Sequence, residues 1–300
     1  MALVPAVLLT LLGSSGTLLG AMLVVVSPRP DASRLGVLQG LSAGLMLAVS
    51  FFDLLPAAIE AVGSRIAILA FFGGAAFFAA VSAVFEDAGG DALAASLIAS
   101  GEKEDVKRRK KNDDDDAGAG DGRAKTKTKT KTDEAVDVEE KGNQRRRAML
   151  SGLLTALGIA LHNFPEGIAV YLASLKEAKL GLSVGIAIAM HNIPEGLCIA
   201  LPVYFATGSK WEGVRLAALS GIAEPTGAIL VGILLPRLAS ETMVESMLAA
   251  VAGIMTFLSF AELLPLSYAT ASKWHVISAV FAGMALMAAT LMMMEATGAE

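Results

Sequence analysis

Fifteen of the 24 lysines and arginines in this 300-residue chain fall between Lys103 and Arg147. On either side of that insert, long stretches run almost without charge. Such runs leave few options. A segment of about 20 apolar residues can cross the hydrocarbon of a bilayer, where only a helix or a closed barrel satisfies its own backbone. By that measure eight helices are expected, over residues 4–27, 35–60, 65–85, 148–173, 180–204, 213–235, 244–268 and 274–294. A mean hydropathy of +0.61 is also too high for an ordinary water-soluble domain. The expected fold is an all-α membrane protein in three stretches. Residues 1–85 carry three spans, residues 86–147 form a disordered cytoplasmic loop, and residues 148–300 carry five spans. No basic residue precedes the first apolar run, so it reads as a retained helix rather than a signal peptide.

Eight spans put both termini on one side of the membrane. The short connections carry five basic residues on one face (Arg29, Arg34, Lys210, Arg215, Lys273) and four on the other (Arg65, Lys176, Lys179, Arg237). They decide little. The insert decides the orientation, because its basic flanks lie close to span ends, where such residues hold a loop in the cytoplasm. Both termini are therefore expected on the non-cytoplasmic side of a multi-pass protein, in a plasma membrane or an endomembrane. Nucleic acid is not an expected partner, since the basic residues are interleaved with acids and lack aromatic neighbours. The single cysteine, Cys198, excludes an intrachain disulfide.

An internal repeat organises the spans. Residues 43–56 align with residues 252–265 at a shift of 209 positions, with eight of fourteen pairs identical and Asp53 facing Glu262. Spans 1–3 thus match spans 6–8 across an odd offset of five, which inserts the two units in opposite directions. Inverted repeats of this kind are characteristic of secondary transporters. The remaining spans, four and five, make the arrangement 3+2+3. In it, Asp53 sits about 9 Å outward of its span's middle and Glu262 a similar distance inward, as candidate gates at the two mouths of one path.

Spans four and five carry the other repeat, His162-Asn163-Phe164-Pro165-Glu166-Gly167 and His191-Asn192-Ile193-Pro194-Glu195-Gly196. Within each, His, Asn and Glu share one helical face at i, i+3 and i+4 spacing. The prolines leave the carbonyls of Leu161 and Met190 without a donor and crowd that turn, and Gly167 and Gly196 permit close helix approach. Ionisable residues at membrane depth are costly and mark function. Two carboxylates about 5 Å apart repel by roughly 3 kcal/mol at an effective dielectric near 20. A bound dication removes that penalty, and nitrogen and oxygen donors suit a divalent transition metal. Without it a glutamate takes up a proton, so metal binding is expected to depend on pH. Glu224, before Pro225 in the sixth span, is a further candidate ligand. His275 reads as interfacial and Cys198 as a small core residue.

The doubled motif and the Ala223-Glu224-Pro225 string resemble the ZIP family of zinc and iron transporters, especially its bacterial zinc-uptake and plant endomembrane branches. The resemblance implies the 3+2+3 arrangement, metal flow toward the cytosol, a homodimer and a two-metal site. His162, Glu166, His191 and Glu195 would form one metal position. Asn163, Asn192 and Glu224 would form the second, with Glu166 and Glu195 bridging. The insert departs from the family pattern, because residues 86–147 contain no histidine.

The expected activity is transport of Zn²⁺, with Fe²⁺, Mn²⁺ or Cd²⁺ as further substrates, and no catalytic cofactor. Two other classes compete. An intramembrane metallohydrolase would normally carry His-Glu-x-x-His or a comparable open site, which the doubled motif is not. A metal-gated receptor would bind without conducting. Direct ATP drive is not expected, since no phosphate-binding Gly-rich Lys-Ser/Thr loop is present.

Overall fold

In the computed structural model, residues 3–26, 28, 31–90, 92–99, 131–176, 178–234 and 241–297 are described, and among them there is no strand. Among the described residues, eight helices are long and apolar enough to cross a membrane. They are α1 (Leu3–Val26), α2 (Ala32–Val62), α3 (Ser64–Phe85), α4 (Lys141–Leu175), α5 (Val184–Thr207), α6 (Lys210–Ile233), α7 (Thr242–Thr270) and α8 (Lys273–Met293).

These spans follow the apolar runs closely except at α4. There the helix runs as one piece from Lys131 to Lys176, starting well before the hydropathic edge at residue 148. Hydropathy marks where a helix enters lipid, not where it begins, and Gln144 and Arg145–Arg147 are good helix formers that continue it outward. Helical turns also occupy 86–90 and 92–99 within the stretch expected to be a disordered loop. Residues 100–130, half of that expected loop, lie outside the described residues.

Burial ranks the helices. In α4 72% of the apolar window is buried, against 22% in α3 and in α8. The centre is therefore α4, packed on α5 and α6, with α1 laid along α5. On the other side α2 packs against α8 and α3 against α7. In lipid, apolar side chains gain little by leaving their solvent, so close backbone approach carries much of the association. Gly44 of α2 faces the Val280 carbonyl of α8, and Gly253 of α7 faces the Phe71 carbonyl of α3, where a Cβ would lie 2.0 and 1.9 Å from those oxygens. These two glycines are 209 positions apart.

The same offset recurs inside the helices. Both α2 and α7 widen into a π turn, at Ser50–Leu54 and Ser259–Leu263. In each, the residue after the turn donates five positions back, Leu55 to the Ser50 carbonyl and Leu264 to the Ser259 carbonyl. Each serine hydroxyl donates to a carbonyl one turn earlier, of Met46 and Met255. A proline follows in both, Pro56 and Pro265. Its ring crowds the preceding turn and it offers no N–H, and a wider turn relieves both. Asp53 and Glu262 sit on these π turns, each half-buried.

Candidate functional site

Helices α4 and α5 remain helical through Pro165 and Pro194, and they bring their two motifs face to face. His162 Nε2 lies 2.9 Å from Glu195 Oε1, and His191 Nε2 lies 3.4 Å from Glu166 Oε1. Both pairs share one antiparallel register, so each imidazole meets the carboxylate of the other helix. His162, Glu166 and Glu195 are all but sealed from solvent, at 0%, 2% and 1% exposure, while the His191 side chain keeps 12%.

The glycine closing each motif lets a third helix in. A Cβ on Gly167 would lie 1.8 Å from the Glu224 carbonyl, and one on Gly196 would lie 1.9 Å from the Thr17 carbonyl. Thus α6 presses against α4, and α1 against α5. In α6 the α-helix is interrupted at Ile222. Pro225 cannot donate to the carbonyl four residues back, which parts the helix there and starts its second half beside Glu224. Glu224 is fully buried. Its Oε2 accepts from Asn192 Nδ2 at 3.2 Å, and the same Asn192 nitrogen donates to the Gly13 carbonyl of α1 at 3.2 Å.

Seven buried side-chain atoms in this cluster have no hydrogen-bond partner among the described residues: His162 Nδ1, both amide atoms of Asn163, Glu166 Oε2, Asn192 Oδ1, Glu195 Oε2 and Glu224 Oε1. Each such group costs about 1–3 kcal/mol when buried unpaired, and a native structure seldom keeps more than a few of them. Here they converge from three helices. Among the described residues, no three His, Cys, Asp or Glu side chains are gathered as ligands around one point.

Of the other residues singled out in the sequence, Asp53 lies within electrostatic reach of His191 and Glu166. Glu262 is on the matching π turn, which packs against α4. Cys198 is fully buried in the apolar core. His275 lies at the start of α8, with Nδ1 2.6 Å from the exposed Ser272 hydroxyl.

The model of the family described as ZIP Zinc transporter matches residues 2–291. This chain belongs to the ZIP zinc transporter family. Among its relatives are Zinc transporter ZTP29 of Arabidopsis thaliana, 45% identical over 96% of this chain and 93% of its own length, and Zinc transporter ZupT of Chlorobium phaeovibrioides, 38% identical over 97% and 98%. Protein zntB of Dictyostelium discoideum is 41% identical over 88% of this chain and 75% of its own.

Within this ZIP chain, the part of α1 was not foreseen. Its contribution at Gly13 and Thr17 is backbone, which no side-chain chemistry announces. The available signal was the spacing of Gly13, Gly16 and Gly20, a small-residue stripe that permits helix contact in membranes. All three sit tight against neighbours, Gly16 and Gly20 on the Ala189 and Ile193 carbonyls of α5.

Proposed function

We propose that this ZIP-family chain carries Zn²⁺ across a membrane into the cytosol, with Fe²⁺, Mn²⁺ and Cd²⁺ as further candidate cargo. The observation that carries this reading is the convergence of crossed His–Glu pairs and seven unpartnered polar atoms at membrane depth. A dication entering between α4 and α5 takes the imidazole nitrogens and carboxylate oxygens from one another and uses the unpartnered atoms beside them. His162, Glu166, His191 and Glu195 hold one position, and Asn163, Asn192 and Glu224 the second, with Glu166 and Glu195 shared. Ligands bind metal only when deprotonated, so loading displaces whatever protons they hold.

In this reading the protein is a transporter rather than an enzyme, its metal is substrate, and the 86–147 insert faces the cytosol. The arrangement of spans is 3+2+3 with inverted outer units, supported by the matching offsets of the π turns and of Gly44 with Gly253. Asp53 guards the outer mouth and Glu262 the inner.

Flux of radiolabelled zinc into proteoliposomes tests the reading. Glu166→Ala and Glu195→Ala are each expected to lower uptake more than about tenfold, the loss that even indirect disturbance of a metal site can produce. Asp53→Asn is expected to slow uptake while zinc bound at equilibrium stays unchanged. A metallohydrolase or a non-conducting receptor would give no flux in any variant, the parent included. Loss of bound zinc in Asp53→Asn would overturn the gate assignment.

A further inference from the structure

A cavity of about 360 Å³ opens where the starts of α2 and α4 meet the end of α5, lined by Ala32, Lys141, Gln144, Arg145 and Phe205. It lies about one turn outside Ala148 and Met149, which are fully buried, and so at the level where the apolar interior gives way to headgroups. Its lining has two natures. Ala32 and Phe205 give it an apolar wall, whereas Lys141 and Arg145 bring two cations and Gln144 an amide. Asp31, which caps α2, accepts from the Arg34 backbone N–H at 2.8 Å and pairs with the Arg34 side chain. Arg146 and Arg147, next along the same helix, are exposed.

We propose that this cavity binds the phosphate headgroup of an anionic membrane lipid. Lys141 and Arg145 hold the phosphate, with the planar guanidinium able to offer two parallel N–H groups. Gln144 bonds to headgroup oxygens, and Phe205 and Ala32 meet the first acyl carbons. Basic pockets between membrane helices are suited to such headgroups, and this volume falls in the range of small-molecule sites. A free phosphate offers the same charge but leaves the apolar wall unused, so the lipid is the occupant the lining favours. Nothing in this assignment depends on the metal site, because lipid retention can be read without any transport.

Native mass spectrometry of protein extracted from phosphatidylcholine nanodiscs containing a minor share of phosphatidylglycerol tests it. The expected result is selective retention of the anionic lipid. Lys141→Gln with Arg145→Gln is expected to weaken retention roughly ten- to thirtyfold, given what each basic residue contributes near a charged surface, with helicity unchanged by circular dichroism. Arg215→Gln, on α6 and outside the cavity, is expected to retain lipid as the parent does. Should the double variant misfold, Arg145→Gln alone is compared with Arg145→Lys, and retention lost in the first but kept in the second supports the site. Three results overturn it: full retention in a folded cavity variant, equal loss in Arg215→Gln (a diffuse surface field), or displacement of the lipid by inorganic phosphate.

Discussion

At the scale of single residues, the chemistry of the site depends on atoms that look inert in the sequence. A Cβ placed on Gly13 would lie 2.1 Å from Glu224 Oε1, so the carboxylate must move aside. Gly13→Ala is therefore expected to lower zinc affinity about tenfold, as displaced metal-site partners do, while removing no ligand. Isothermal titration on the purified protein measures it, and unchanged affinity would place Glu224 outside the metal's reach. The imidazoles, amides and carboxylates were legible because a polar group in an apolar run is conspicuous. The Gly13 and Thr17 carbonyls were not, since every residue has one and only folding brings these two to the site. The crossing of the pairs was equally hidden: spacing puts His162 and Glu166 on one face, but which helix's carboxylate each imidazole meets is set by the antiparallel register of α4 and α5.

At the scale of elements, the contacts of α1 with α5 and of α6 with α4 fix where the motifs stand. Both rest on glycine against backbone, where nothing flexible can yield. Gly196→Ala sets a methyl against the Thr17 carbonyl and is expected to cost about 1–3 kcal/mol, the range for overpacking. A lowered unfolding midpoint in detergent checks this, and an unshifted one would show that α1 can slide. The π turns at Ser50–Leu54 and Ser259–Leu263 teach a related lesson about legibility. The repeated Ser-Phe-x-acid-Leu-Leu-Pro string was plain in the sequence, yet a widened turn leaves no compositional trace of its own. Such turns gather at functional sites, and here they carry the two acids proposed as gates.

For the whole molecule, the proposed orientation and the candidate site rest on different parts of the chain. The short connections hold five basic residues on one face and four on the other, nearly a balance. A chain in which the basic residues between Lys103 and Arg147 are replaced by glutamine is expected to enter the membrane both ways round, which labelling of single cysteines placed at residues 30 and 63 would reveal. One orientation only would mean that the short connections suffice. The uninterrupted helix from Lys131 to Lys176 ties these parts together mechanically. Arg145 and His162 stand on one rod, about 26 Å apart at 1.5 Å per residue, with no proline between them. A displacement of this helix as one body at the membrane surface would therefore carry the imidazole with it, as the far end of a lever follows the hand.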